Sequence, residues 1–111
     1  MSDEPWYGVR CIFAHRGRTD VPSGSELYEE RILLVRASSL EEAIERAEAE
    51  AARYAQDLGD AEYLGDADAF HVFSSEIGDL TEVFSLMRES DLDAEAYVRA
   101  FFQTGRERAP D

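Results

Sequence analysis

The chain has 111 residues, 44% of them hydrophobic, and its 25 acidic and 11 basic residues give a formal net charge of −14. The acidic balance argues against binding to nucleic-acid phosphates or to anionic membrane surfaces, both of which attract basic proteins. This length predicts one domain over residues 1–111, with flexible ends at 1–5 and 106–111. The single cysteine allows no intrachain disulfide and does not constrain the compartment. The longest apolar run is too short to span a membrane, and the first residues, Met-Ser-Asp-Glu-Pro, lack the basic and apolar regions of a secretory signal, so we expect a cytoplasmic protein.

The first third of the chain predicts a β-hairpin. The segment Trp6–His15 alternates two rows of side chains, and its more apolar row, predicted to face the core, is Tyr7, Val9, Cys11 and Phe13. Residues 16–26 are rich in glycine and small polar residues and predict the connecting loop. The second strand, Leu27–Ala37, is apolar on both faces around Ile32–Val35, which predicts an inner strand of a sheet.

The next segment predicts a long amphipathic helix. Ser39 is suited to cap its first turn, and Glu42 to return the hydrogen bond in a capping box. Gly59 is the residue type expected just past the helix end. An apolar stripe with alternating spacings of four and three runs through Leu40, Ile44, Ala47, Ala51, Tyr54 and Leu58. Its two central alanines predict that the helix lies close to the layer beneath it.

The remaining sequence predicts two further strands and a second helix. Residues 60–68 are acidic and predict a loop, followed by a short strand at Ala69–Phe73 and a fourth strand at Thr81–Arg88. Asp93 is predicted to cap a helix that ends at Phe102. The order β-β-α-β-β-α predicts an α+β domain with an antiparallel sheet of about four strands and two helices on one face, a two-layer sandwich.

Catalytic and cofactor-binding motifs are missing from the sequence, so no catalytic residue, cofactor or metal ligand is predicted. With one cysteine and two histidines, the ligands for a structural zinc site are too few. His71 follows Asp66 and Asp68, a set of ligand types that suits a divalent ion, but a histidine facing solvent from a strand is the simpler interpretation. Cys11 is interpreted as a small buried hydrophobic residue.

Candidate contacts with a ligand or partner are predicted at six residues: Trp6, Glu30, Arg36, His71, Glu82 and Arg88. Glu30 and Arg36 lie on one row of the second strand, and Glu82 and Arg88 occupy matching positions of a weak internal repeat. These four predict either a polar patch on the sheet face or ordinary cross-strand ion pairs. Trp6 is included because exposed aromatic residues favour interfaces.

Four segments carry a family resemblance: Trp6-Tyr7-Gly-Val-Arg, Tyr28-Glu-Glu-Arg-Ile-Leu-Leu-Val, Glu41-Glu-Ala-Ile-Glu-Arg-Ala-Glu and Glu82-Val-Phe-Ser-Leu-Met-Arg-Glu-Ser-Asp-Leu. Together they resemble a small bacterial family known as domain of unknown function 4288. The resemblance covers nearly the whole chain, and its last segment is the most specific. It implies a stand-alone bacterial domain and brings no activity, substrate or catalytic residue with it.

The function predicted from these features is a non-enzymatic module that acts through a protein partner or as a homodimer, using an exposed strand edge. One alternative is a small-molecule-binding domain or enzyme with its site on the sheet face. A second alternative is an acidic mimic of nucleic acid that binds a basic protein. Ligand-dependent stabilisation would favour the first alternative, and salt-sensitive binding to a basic protein would favour the second.

Overall fold

The computed structural model describes residues 4–108, so the flexible ends predicted at 1–5 and 106–111 fall partly outside the described residues. Three antiparallel strands form one sheet in the order β2-β1-β3, and the domain is α+β. No helix within the described residues is long and apolar enough to cross a membrane. The elements are β1 (Trp6–His15), β2 (Leu27–Arg36), α1 (Leu40–Leu58), β3 (Ala61–Val72), α2 (Ala94–Tyr97) and a π-helical turn (Val98–Phe102).

The ends of α1 are held by side-chain and backbone caps. The Ser39 hydroxyl accepts a hydrogen bond from the Glu42 N–H at 3.1 Å, as predicted. The Glu42 carboxylate accepts from Ser38 instead of Ser39, so the capping box is displaced by one residue. At the other end Gly59 has a φ of 84°, a left-handed value that suits glycine, and its N–H donates to the Ala55 carbonyl. The predicted helix therefore begins and ends at the predicted residues.

The core lies between α1 and one face of the sheet. The odd-numbered residues of β1 face the helix, as predicted, and Phe13 is the largest side chain that is fully buried. The Phe13 ring packs against the rings of Tyr54 and Tyr63, with centroids 5.1 and 5.5 Å away. Cys11 is buried, as predicted, and burial raises the pKa of its thiol. This face of the sheet is therefore a packed apolar layer that includes the only cysteine of the chain.

A row of alanines forms the buried line of α1. Ala43, Ala47, Ala51 and Ala55 recur at a spacing of four and lie against the sheet. The large residues at the ends of the predicted stripe, Leu40 and Leu58, are both nearly half exposed. The buried line therefore shares Ala47 and Ala51 with the predicted stripe, but has Ala43 and Ala55 where larger residues were predicted to be buried. Because each alanine ends in a single methyl group, this row lets the helix backbone approach the sheet closely.

The third strand is longer than predicted and begins inside the segment predicted as an acidic loop. It spans Ala61–Val72, whereas the sequence predicts Ala69–Phe73. A bulge interrupts the alternation that would have revealed it, because residues 64–66 lie opposite one residue of β1, with Gly65 at a φ of 83°. The acidic side chains of this segment, a type depleted in strands, also favour a loop in the sequence pattern. Asp68 is accommodated in the strand because its carboxylate accepts a hydrogen bond from Arg10 of the neighbouring strand at 3.2 Å.

The predicted fourth strand is not formed in the structure. Thr81–Arg88 pairs with no other strand among residues 4–108, so the element order is β-β-α-β-α and the sheet has three strands. The prediction of β2 as an inner strand is also wrong, because β1 is central and β2 lies at an edge. In both cases the apolar pattern of a strand is present in the sequence, but among residues 4–108 Thr81–Arg88 has no strand beside it and β2 has one on one side only.

The C-terminal arm, defined as residues 73–108, lies apart from the core. Asp93 caps α2, as predicted, by accepting a hydrogen bond from the Ala96 N–H at 2.8 Å. The helix continues to Phe102, as predicted, but its last turn is π-helical. In the described chain α2 contacts none of the three strands, so it is not the second helix of a two-layer sandwich. No residue of the arm is buried.

Candidate functional site

The sheet face opposite α1, here called the helix-free face, is partly apolar and open. It carries the even-numbered residues of β1 and β2, and the exposed large hydrophobic residues of the sheet all lie on it: Tyr28, Ile32, Leu34 and Leu64. Ile32 is 48% exposed and Leu34 is 41% exposed. Arg10 crosses the middle of this face, 3.7 Å from the Glu30 carboxylate and 3.2 Å from that of Asp68. The face therefore combines an unpartnered apolar strip along β2 with charges that pair among themselves.

Three of the six predicted contact residues lie on the helix-free face. Glu30 is held by Arg10 in a cross-strand ion pair, which is the ordinary explanation considered for its charge. The Arg36 guanidinium stacks on the ring of Trp6, 4.7 Å from the ring to the guanidinium carbon. Two nitrogens of this stacked pair, Trp6 Nε1 and Arg36 Nε, are buried and have no hydrogen-bond partner in the described part of the chain. Trp6 and Arg36 are thus the only two of the predicted six seen in contact with each other among residues 4–108.

His71 belongs to the opposite row of β3. Its ring lies 5.3 Å from the ring of Tyr7 and 4.4 Å from that of Phe73, and its side chain is exposed at the end of the sheet. Asp68 is on the helix-free face, paired with Arg10. His71 and Asp68 therefore point to opposite sides of the sheet and do not form a common ion-binding site.

Glu82 and Arg88 lie in the C-terminal arm. Arg88 donates a hydrogen bond to the Tyr97 hydroxyl at 2.9 Å, and its guanidinium lies 4.2 Å from the centre of the Phe101 ring. Glu82 is exposed. Neither contacts Glu30 or Arg36 among the described residues. The polar patch predicted from the internal repeat is therefore not assembled within a single chain.

A cavity of about 910 Å³ opens between the β1–β2 loop, the start of β2, the end of α1 and the end of the arm. In its wall, the Glu29 carboxylate accepts hydrogen bonds from the Tyr54 hydroxyl at 2.9 and 2.8 Å and lies 2.7 Å from His15 Nε2. Burial, together with the hydrogen bond to Glu29, raises the pKa of Tyr54, so its hydroxyl stays a donor. Arg108 reaches the rim by donating to Asp20 at 3.1 Å. A cavity of this volume suits a small molecule.

The sequence analysis did not single out this cluster, although a signal for it exists. Glu29 and Arg31 are charged residues on the core-facing row of β2, and a partly buried charge requires a partner. Arg31 finds two: it donates to the Glu50 carboxylate at 2.8 and 3.1 Å, and its guanidinium lies 3.7 Å from the centre of the Tyr54 ring. The predicted contact Glu30 lies instead on the outward row of β2, where it needs no more than a surface ion pair.

The Arg31–Glu50 pair makes stability depend on pH. The two hydrogen bonds from Arg31 lower the pKa of Glu50 below 4.5, so the pair stabilises the fold above that pH and the contribution is lost as the pH falls through the lowered pKa. We expect Glu50→Gln to lower the free energy of unfolding by about 0.5–1 kcal/mol at neutral pH. The difference from the unchanged protein should shrink as the pH falls from 5 to 3 in urea titrations.

The control for this prediction is Glu45→Gln on the exposed side of the same helix. It removes one negative charge from the same helix without touching Arg31. A loss of stability in Glu50→Gln that is the same at every pH, or that Glu45→Gln reproduces, would show that the ion pair is not its source.

These features define a small, acidic α+β domain in which a sheet face and a C-terminal arm both expose apolar side chains. The chain belongs to the family described as Domain of unknown function (DUF4288), whose model matches residues 6–98. The resemblance predicted from the four sequence segments is thereby confirmed. The match runs through the arm to residue 98, so most of the arm is part of the family's domain. No curated protein and no solved structure was found to match the chain.

Proposed function

We propose that this chain is a non-enzymatic interaction module that associates with a second copy of itself. The observation that carries the proposal is the composition of the arm's surface. Of the seventeen large hydrophobic residues exposed in the described chain, eleven lie in the arm, and Leu80 and Met87 are 95% and 100% exposed. Exposed apolar surface on this scale marks interaction sites in soluble proteins.

The dimensions of the chain support the same proposal. It exposes 8647 Å² of surface, whereas a compact monomer of its mass exposes about 6,200 Å². Its radius of gyration is 16.5 Å, whereas a compact domain of this length has about 13 Å. Both differences are those of a subunit whose extended part packs against another molecule.

The predicted four-stranded, two-layer sandwich is proposed here for the dimer, since the described part of a single chain has a three-stranded sheet. Thr81–Arg88 has the sequence pattern predicted for a strand but forms none in the described chain, and the helix-free face exposes Ile32 and Leu34. Association brings both features into one assembly, because the arm of one chain supplies the layer that the sheet of the other lacks. The sandwich predicted from a single sequence is then a property of the dimer.

The test of self-association is the molar mass in solution, measured by sedimentation over a range of protein and salt concentrations. We expect a mass of twice 12.5 kDa that gives way to the monomer on dilution. Two chains of charge −14 repel each other, so screening by added salt should tighten the dimer. A mass of 12.5 kDa under every condition would overturn the proposal. Salt-sensitive binding of a basic protein would instead favour charge mimicry.

A small-molecule-binding domain remains a second candidate because of the cavity that holds His15, Glu29 and Tyr54. The test is a thermal-shift screen with small polar metabolites, and any ligand found should lose its effect in His15→Gln. Arg36→Ala is the control, because Arg36 lies away from this cavity on the helix-free face. Loss of the effect in Arg36→Ala alone would place the site on the sheet face instead, and a screen without any shift would remove this candidate.

A further inference from the structure

We infer that the C-terminal arm of one copy seats on the helix-free face of a second copy, along β2, and that the exchange is reciprocal. The inference rests on the proposed self-association and names the two surfaces that form it. The receiving surface is the strip of Tyr28, Ile32 and Leu34. The inserted surface is the segment Thr81–Arg88.

The Ile32 and Leu34 part of the receiving strip is left open by the arm of its own chain, whereas Tyr28 lines the cavity that Arg106 and Arg108 of that arm also line. That arm touches the helix-free face at β3, where the Phe84 ring lies 4.8 Å from the ring of Phe70. The β2 strand lies on the far side of β1, about 10 Å from β3 across the sheet. Ile32 and Leu34 consequently stay 48% and 41% exposed. The part of the face that carries Ile32 and Leu34 is therefore available to a second molecule.

The arm offers a matching apolar surface. In the sequence of Thr81–Arg88, Val83 and Met87 have one parity and Phe84 the other, so they would lie on opposite rows if the segment paired as a strand. Phe84 is engaged with Phe70 of its own chain, whereas Met87 is fully exposed. Phe84 thus anchors the segment to its own sheet, and Leu86 and Met87, 59% and 100% exposed, are left open to solvent. A flexible thioether such as that of Met87 suits an irregular apolar strip.

A second copy fits these surfaces better than an unrelated partner. The arm and the strip belong to one chain, so a twofold axis pairs each arm with the strip of the other copy and satisfies both at once. The surface in excess of a compact monomer is about 2,400 Å² per chain, and two chains together hold enough for an obligate homodimer, which buries about 2,000–5,000 Å² in total. Arg36, which has no carboxylate partner among the described residues, lies at the end of the strip and suits the acidic residues of an incoming arm.

The first part of the experiment uses aspartate variants of the full chain and measures their dimerisation by sedimentation. We expect Met87→Asp and Ile32→Asp each to raise the dimer dissociation constant by about 30-fold or more, as at a buried interface anchor. Leu40→Asp, at the start of α1 and away from both surfaces, is the control and should leave the constant unchanged. Met87 is fully exposed, so its replacement leaves the fold of the subunit intact and the loss of dimer is read directly.

The second part of the experiment identifies the residues that the C-terminal arm contacts. A photoreactive diazirine analogue replaces Met87, and chains with natural nitrogen are mixed with chains labelled with ¹⁵N before illumination. We expect cross-linked peptides that join residue 87 of one isotope to β2 of the other. Cross-links confined to one isotope would show that the arm covers its own sheet, and they would overturn the exchange.

The outcomes separate the inference from the proposed function. A dimer that survives Met87→Asp and gives no cross-link to β2 overturns the exchange while self-association stands. A chain that is monomeric at every concentration overturns both. A dimer weakened by Met87→Asp and by Ile32→Asp, with mixed-isotope cross-links to β2, supports both.

Discussion

Replacing Phe13 with alanine is expected to lower the free energy of unfolding by about 3–5 kcal/mol. The Phe13 side chain is fully buried, and its ring fills the space between the rings of Tyr54 and Tyr63. Removing the ring leaves a cavity. The strand and the helix around it are fixed by their own hydrogen bonds, so they can close the cavity only in part. Because domains are stable by about 5–15 kcal/mol, this change takes away much of the total. Urea unfolding followed by circular dichroism measures it.

Two further variants make this prediction testable even where the alanine variant does not fold. Phe13→Leu keeps most of the volume and should lower stability by about 0.5–1.5 kcal/mol. Phe73→Ala removes the same ring from a site that is 88% exposed and should change stability by less than about 0.5 kcal/mol. Equal losses in Phe13→Leu and Phe73→Ala would contradict the assignment of Phe13 to the core.

Replacing Ala47 with leucine is expected to lower the free energy of unfolding by about 1–3 kcal/mol. Ala47 is 1% exposed and lies in the alanine row that faces the sheet. A larger side chain at this position forces α1 away from the strands and disturbs the packing of the whole row. The same urea titration measures the loss.

Ala52→Leu is the matched control for Ala47→Leu. It places the same side chain on the exposed side of the same helix, where helix propensity is nearly unchanged, and should alter stability by less than about 0.5 kcal/mol. A neutral Ala47→Leu would show that unfilled space lies beneath the helix and that alanine there is not required by close packing.

The parts of the fold that the sequence predicts correctly are those determined by neighbours a few residues apart. Ser39 and Gly59 mark the ends of α1 because capping is a local hydrogen-bonding problem. The face of β1 that holds Phe13 follows from alternation alone. Asp93 identifies the start of α2 for the same reason as Ser39. In each case, the physical cause lies within one turn or one strand.

The parts that the sequence does not predict depend on contacts between distant residues. Asp68 lies in a strand because the backbone of β3 pairs with β1, which also places Arg10, 58 residues away, beside its carboxylate. The bulge at Gly65 shifts the alternation of β3 and hides the strand from a period-two pattern. The apolar centre of β2, Ile32–Val35, is interpreted as an inner strand, but alternation indicates which faces are apolar and not which neighbours the strand has.

The same limit applies to the candidate site. Glu30 and Arg36 were chosen because two charges on one row of a strand suggest a patch, yet Glu30 pairs with Arg10 and Arg36 stacks on Trp6. The cluster of His15, Glu29 and Tyr54 joins three elements, so no spacing within one segment marks it. The apolar pattern of β2 was nevertheless informative, because it indicates a second face that needs a cover.

The position of the arm after all the buried residues has a consequence for biosynthesis. Every buried residue of the described chain lies between Gly8 and Val72, so all the side chains that pack the core are synthesised before the arm is. Since chains fold from the N-terminus as they emerge from the ribosome, the residues of the core emerge before those of the arm and need none of the arm's side chains for their packing. Under the proposed self-association, a chain shortened after Val72 would keep its buried residues and lose the segment proposed to bind a second copy.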